Sequence, residues 1–332
     1  MKLATLKSGH RDGQLVVVSR DLRHAVIAQP FTTLQQALEN WAEAEPVLSR
    51  QYQALNLGQA PDAFTFDPAH AAAPLPRAYQ WCDGSAFLNH AHLLQKAFSL
   101  PPMADERIPL MYQGASDDFL GPCDDVPLPD VNHGIDFEGE FAVILDEVPM
   151  GCPAHQALQY VRLVLLVNDV SLRGFLLHEV STGFGFFQAK PSSSFSPVAV
   201  TPQALGSAWQ NGRVCLPLNV SWNHAWFGSP HGGEMSFSFA DLIAHAARTR
   251  RLRAGTIIGS GTVSNVDRAV GSACISERRA IEMIDHGQAL TGFMKFGDRI
   301  RIEALDSEGE SVFGAIDQRL VDSTLLTQEV LS

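Results

Sequence analysis

The chain has 332 residues, 45% of them hydrophobic and 18% charged, with a formal net charge of −12. That length buries a sizeable core and accommodates a large unit beside a smaller one, and the acidic balance speaks against nucleic acid or an anionic membrane as the main partner. The five cysteines, Cys82, Cys123, Cys152, Cys215 and Cys274, include no CxxC pair and are odd in number, which excludes a complete disulfide framework and points to reduced thiols in the cytoplasm.

Residues 1–10 hold no long apolar run, so no signal peptide is expected, and no stretch approaches the ~20 apolar residues of a membrane helix. Residues 15–19 and 24–28 read as short strands flanking a turn at Asp21-Leu22-Arg23. A helix is expected over 33–41, capped by Thr32 or Thr33. The segment Ala71-Ala72-Ala73-Pro74-Leu75-Pro76-Arg77 reads as a linker. It divides the chain into a small β-rich N-terminal domain, residues 1–75, and a larger domain, residues 76–332. Asp83 and His90 are seven apart, a spacing at which one helix face carries both. Residues 135–145 form an apolar strand interrupted by two acids, and 163–167 read as a fully buried strand. Residues 214–222 alternate like another strand, and 239–251 are helical with a basic last turn before Gly255. Residues 297–303 and 311–316 suggest a hairpin around Ser307-Glu308-Gly309. The order is β-rich α+β rather than alternating βαβ, so a doubly wound nucleotide-binding sheet is not expected.

The chemistry concentrates at Glu138-Gly139-Glu140. In a strand, residues i and i+2 share a face, so the two carboxylates project side by side. They repel unless a cation lies between them. A hard divalent metal such as Mg²⁺ or Ca²⁺, with Mn²⁺ as the other candidate, prefers such oxygen ligands; the plainer reading is an edge strand with gatekeeping acids. Asp169 follows the buried strand, where a third ligand or a helix cap would sit. Lys190 lies just past the aromatic segment 183–187, whose phenylalanines either wall a pocket or pack a core. The loop 259–265, Gly-Ser-Gly-Thr-Val-Ser-Asn, offers backbone N–H groups to an anion but lacks the lysine of a P-loop. No Gly-x-Ser-x-Gly elbow is present, so water rather than a serine is the expected nucleophile.

Taken in order, these positions resemble the fumarylacetoacetate hydrolase family over nearly the whole chain. Asp83, Glu138, Glu140 and Asp169 fall where that family places its metal ligands, and His90 where it places its general base. Arg173 and Lys190 match its two cations, Tyr112-Gln113-Gly114 a tyrosine-containing substrate segment, and Gly261-Thr262-Val263-Ser264 its Gly-Thr-[Ile/Val]-Ser loop. The resemblance implies a mixed β-sandwich roll behind a small β-rich N-terminal domain, and a homodimer formed through the catalytic domain. It departs at Ser85, Ser99 and 174–179, positions of substrate contact. Leu93 replaces the glutamate that short members pair with their histidine, so a distant glutamate, Glu277, is expected to assist His90.

The implied activity is metal-dependent hydrolysis of a carbon–carbon bond in a β-diketo acid such as fumarylacetoacetate, in aromatic catabolism. His90 takes a proton from water while Arg173 and Lys190 stabilise the oxyanion. The alternative is a 2-oxo acid lyase, hydratase or decarboxylase, of the same superfamily. A non-enzymatic, metal-stabilised scaffold would need the carboxylates closed off with no cations facing them.

Overall fold

The structure is a computed structural model that describes residues 1–99 and 105–325. Its largest sheet has 11 strands among the described residues. At its centre, strand Gly139–Leu145 pairs antiparallel with Val161–Asn168 on one side and with Ile257–Gly259 on the other. Ile257–Gly259 in turn pairs parallel with Trp81–Gly84. These central strands are buried on both faces. Phe141, Val143 and Leu145 enter one core, while Ala142 and Ile144 enter the other; Val164 and Leu166 oppose Leu163, Leu165 and Val167 in the same way. A strand with no solvent face has no reason to alternate apolar with polar, which is why these segments read as apolar runs.

The first core is shared with a 5-stranded sheet that includes Leu218–Trp222, Arg299–Ala304 and Ile316–Asp322. The second is covered by helices Leu34–Glu39 and Trp41–Asn56, through Leu34, Leu38, Trp41 and Leu48. The N-terminal strands Lys2–Leu6, Gln14–Val18 and His24–Ile27 continue the large sheet. Leu3 pairs with Ala199 of strand Ala199–Val200, which itself pairs with Val161–Asn168. The architecture is thus a β-rich α+β fold built on two large mixed sheets, with two small two-stranded ones beside them, in keeping with the expected fold class. No helix among the described residues is long and apolar enough to cross a membrane.

Local differences from the expected elements have physical reasons. Thr33 caps its helix, accepting the Gln36 N–H at 3.2 Å, but that helix breaks at Asn40 (φ −128°, ψ 38°) and a second runs on to Asn56. The expected strand over 214–222 is split into Arg213–Val214 and Leu218–Trp222, with Pro217, which has no N–H to donate, in between. Helix Phe239–Ala246 starts at a Ser238–Asp241 capping box and ends before the basic residues. The C-terminal hairpin turns around residues 307–309, but its second strand is Ile316–Asp322, with Ile316, Gln318 and Leu320 buried.

Candidate metal centre and catalytic dyad

Four strands converge on one cluster of acids. Asp83 lies on Trp81–Gly84 and Glu140 on Gly139–Leu145, with Gly259 between them; Asp169 is the first residue past Val161–Asn168. Carboxylate oxygens of Asp83, Glu140 and Asp169 all lie within 4.8 Å of one another, and all three residues are buried. Gly259 leaves the space they share: a Cβ there would stand 2.2 Å from Asp83 Oδ1. Asp83 Oδ1 also accepts the Gly261 N–H at 3.0 Å. Gly261 needs its glycine, since its φ is +73° and a Cβ would meet the Gly84 carbonyl oxygen at 2.2 Å.

Glu138 and Glu140 are treated differently by their surroundings. Lys190 Nζ donates to Glu138 Oε2 at 2.7 Å and to Asp169 Oδ2 at 2.6 Å, and Arg173 Nη2 donates to Glu138 Oε1 at 2.6 Å. Burial alone would push the Glu138 carboxyl up, but Lys190 and Arg173 outweigh it and hold it at about 2. Both oxygens of Glu140 are buried without any hydrogen-bond partner. Burial, then the charges of Asp83 and Asp169, push Glu140 well above the carboxylate range. Burial and then Asp169 likewise push Asp83 up to about 8. A buried carboxylate with no partner costs several kcal/mol unless a proton or a cation neutralises it. An all-oxygen donor set with one bare member suits a hard divalent cation. Asp83, Glu140 and Asp169 therefore fit a metal, whereas Glu138 is already engaged at both oxygens.

Other groups fix the cluster. Tyr112 Oη donates to Asp169 Oδ2 at 2.6 Å and Ser193 Oγ to Asp169 Oδ1 at 2.7 Å. Burial, followed by the Asp169 and Asp83 charges, pushes the Tyr112 phenol well above its usual range, so it keeps the proton it donates. Burial works against the charge on Lys190 and on Arg173. Asp169 and Glu138 overcome it for the ammonium, and Asp136 and Glu138 for the guanidinium, so both stay charged.

His90 does not share a helix with Asp83. Asp83 is on a strand and His90 on helix Leu88–Phe98, with a turn between, so the seven-residue spacing reflects a strand-to-helix connection. His90 Nδ1 lies 2.8 Å from Glu277 Oε2, with the side chains 12% and 1% exposed. Glu277 sits in the first turn of helix Ile275–His286, whose first turn is further tied by Cys274 Sγ accepting the Glu277 N–H at 3.3 Å. Asn89 Nδ2 reaches Ser264 Oγ at 2.8 Å and Asn265 O at 2.7 Å, joining the His90 helix to the loop of buried Thr262.

The phenylalanines expected to wall the pocket divide. Phe184 and Phe187 are 97% and 88% exposed, and Phe186 alone packs its ring against Tyr112, edge-on at 5.2 Å. Glu179 organises this segment, accepting the N–H groups of Phe187, Gln188 and Ala189 at 2.9, 2.6 and 3.1 Å. Asn89, Ser193, Glu179 and Asp136 escaped the sequence reading. Only Asp136 left a signal, sharing strand parity with Glu138 and Glu140.

With this geometry in hand, the comparisons are specific. The family model described as fumarylacetoacetate (FAA) hydrolase C-terminal matches residues 80–321, and that described as fumarylacetoacetase N-terminal domain 2 matches residues 1–77. The chain belongs to the fumarylacetoacetate hydrolase family. It is similar to 2,4-didehydro-3-deoxy-L-rhamnonate hydrolase of Sphingomonas sp. (strain SKA58), 30% identical over 162 residues, which are 48% of this chain and 54% of that relative. It is also similar to oxaloacetate tautomerase YisK of Bacillus subtilis (strain 168), 25% identical over 201 residues, 60% of this chain and 63% of that relative. The matches thus span 54% and 63% of the length of these curated relatives, less than two thirds of either. Maleylpyruvate hydrolase from Sphingobium sp. SYK-6, solved in complex with manganese(II) and pyruvate, shares the fold with a TM-score of 0.64 at 16% identity, covering 97% of this chain and 99% of that one.

Proposed function

We propose that this protein is a metal-dependent hydrolase that cleaves a carbon–carbon bond of a β-diketo acid. The observation that carries the reading is the His90–Glu277 contact, whose imidazole is near enough to act on Glu138, together with the buried carboxylate cluster. It supplies an oriented base where the cluster supplies a place for a metal. Asp83, Glu140 and Asp169 would hold the ion, Mg²⁺, Mn²⁺ or Ca²⁺, and Glu138 would join them only if it gave up one of its contacts to Arg173 or Lys190. When bound, the ion polarises substrate oxygens as a Lewis acid.

The chain's own groups account for the rest. Glu277 keeps the Nδ1 proton of His90, which leaves Nε2 to take a proton from water. The water oxygen adds to the substrate carbonyl carbon, and Arg173 and Lys190 face the negative charge that develops. The carbon–carbon bond breaks with its electron pair on the departing enolate carbon, which then takes the proton from His90. Tyr112 and Thr262 line the substrate's side of the site. The working unit is a cytoplasmic homodimer of chains divided into a 1–75 domain and a 76–332 catalytic domain. Because Arg173 and Lys190 face the carboxylates, the requirement of a scaffold without such cations is not met.

The test is to strip the protein with a chelator, reload it with each ion, and offer fumarylacetoacetate and a series of acylpyruvates in ¹⁸O-labelled water. Loss of the diketone absorbance with ¹⁸O in the released carboxylate is expected. No cleavage of any member with any ion would sink the reading.

The similarity to oxaloacetate tautomerase favours one second reading, a tautomerase or lyase of a 2-oxo acid. There His90 moves a proton between carbon and oxygen and no water is consumed. Accelerated enol–keto conversion of oxaloacetate, with no diketone cleaved, is the outcome that would select it.

A further inference from the structure

Asp136 is fully buried, and its two oxygens hold two separate parts of the site, the start of one helix and the Arg173 side chain. Oδ1 accepts the Ile275 N–H at 2.7 Å and Oδ2 the Ser276 N–H at 2.9 Å. These are the first two residues of helix Ile275–His286, whose N–H groups have no partner within the helix. Oδ2 also accepts from Arg173 Nε at 2.9 Å, and Arg173 Nη2 lies 2.7 Å from the same oxygen. Arg173 passes the connection on to Glu138. Asp136 itself is pinned by its strand, pairing with Ser171 across from Ile135–Asp136.

Two catalytic groups therefore take their position from one carboxylate. The residue after Ser276 is Glu277, so fixing the first turn of that helix fixes the carboxylate that holds His90. The negative charge suits the positive end of the helix, and the geometry is stricter than charge alone would need, since each oxygen has its own backbone donor. We propose that Asp136 is a positioning residue that sets the His90–Glu277 dyad and the Arg173 guanidinium relative to each other. The inference rests on the reading of His90 as the base.

The test uses the full-length protein and Asp136→Asn, which keeps the side chain's size but turns one acceptor into a donor. That donor must face a backbone N–H or the guanidinium, so one contact is lost. The first readout needs no substrate. The ¹⁵N shifts of the His90 imidazole report which ring nitrogen carries the proton, and the His90 signals are assigned by difference against His90→Asn. In Asp136→Asn they are expected to move as they do in Glu277→Gln, with the Mg²⁺-dependent gain in thermal stability retained. His90 signals identical to wild type would overturn the proposal, because a residue that only stabilises the fold leaves the tautomer alone. The second readout is kinetic, with whichever acylpyruvate the wild type cleaves. We expect kcat to fall about 10–100-fold, as for partners that orient catalytic groups, with KM little changed; an unchanged kcat would count against the proposal. If the wild type cleaves none of these substrates, the hydrolase reading fails while the imidazole signals still decide the role of Asp136. Should Asp136→Asn not fold, Asp136→Glu replaces it. That variant keeps the charge but carries the carboxylate one methylene further, and the same change in the His90 signals is expected, with wild-type signals again overturning the proposal.

Discussion

His90 Nδ1 lies 2.8 Å from Glu277 Oε2, although 187 residues separate them in the chain. One ring nitrogen is thereby committed, and the other is left to handle a proton. His90→Ala should lower turnover of an acyl-diketo acid by roughly 10²–10⁴-fold, the usual yield of general acid–base catalysis. Metal-dependent thermal stabilisation should persist, because the imidazole is not among the acids that cluster. If His90→Ala instead abolished that stabilisation, His90 would be a ligand. Glu277→Gln should show a smaller loss of the same kind, measured by the same assay.

Glu140 predicts opposite effects on the stripped and the loaded protein. Its two oxygens are buried with no donor to satisfy them, so the metal-free fold must keep this carboxyl protonated, at a cost, above the ordinary carboxylate range, and Glu140→Gln removes that cost. The metal-free variant should melt a few degrees above the metal-free wild type. It should gain nothing from Mg²⁺ or Mn²⁺ and should be inactive. A metal-free variant that melts below the wild type would contradict this account of the site.

The same acids predict a pH dependence. Asp83 is pushed up to about 8 and Glu140 well above the carboxylate range, by burial first and neighbouring carboxylates second. Between the ordinary carboxylate range and these raised values, the folded metal-free protein holds protons that the unfolded chain has released. Stability therefore falls as pH rises through that window. The gap in melting temperature between metal-free Glu140→Gln and metal-free wild type should widen from about pH 5 to about pH 8. Metal binding should release protons over the same range, measurable by calorimetry in buffers of different ionisation enthalpy. A gap that stays constant with pH would refute the prediction.

Glu179 predicts the reverse sign. Burial would raise its carboxyl, but the N–H groups of Phe187, Gln188 and Ala189 outweigh burial and lower it. Its contribution is present above the usual carboxylate range and disappears as pH falls through the lowered value. Glu179→Gln should speed amide exchange over 184–189 at neutral pH, and the wild type should come to resemble it only under acid conditions. Turnover should fall too, since Lys190 follows this segment. Unchanged exchange in the variant would show that the loop holds its shape without the carboxylate.

Gly259→Ala predicts damage without any change of charge. The added methyl would sit 2.2 Å from Asp83 Oδ1 and 2.5 Å from the Trp81 ring, both on the neighbouring strand. Neither can yield, because Trp81 and Asp83 are buried in a paired strand. Loss of metal-dependent stabilisation, read by thermal melting with and without Mg²⁺, is the expected outcome; a wild-type response would mean the strands part more easily than their packing implies.

Local pattern carried a good part of this protein. The apolar run over 163–167 lies in a strand covered on both faces, whereas the run over 135–145 is two strands, Ile135–Asp136 and Gly139–Leu145, in different sheets, with Glu138 between them bridged to Cys274. The same pattern did not separate the environments of Glu138 and Glu140: one is bonded by two cations and the other by none, which depends on where Arg173 and Lys190 arrive from other elements. The seven residues from Asp83 to His90 misled for a related reason. Spacing along the chain fits a helix face as well as a strand followed by a helix, and only the pairing of Trp81–Gly84 with Ile257–Gly259 decides between them. Ser193 on Asp169, Glu179 on its loop and Asp136 on the Glu277 helix are ordinary polar residues until the fold brings their partners to them. The sequence by itself determined the buried central strand, the order of the acids and the family, because those follow from short-range periodicity and residue chemistry. Tertiary structure alone decided which carboxylate is left bare, which glutamate holds His90 and what holds that glutamate, because each depends on contacts between segments far apart in the chain.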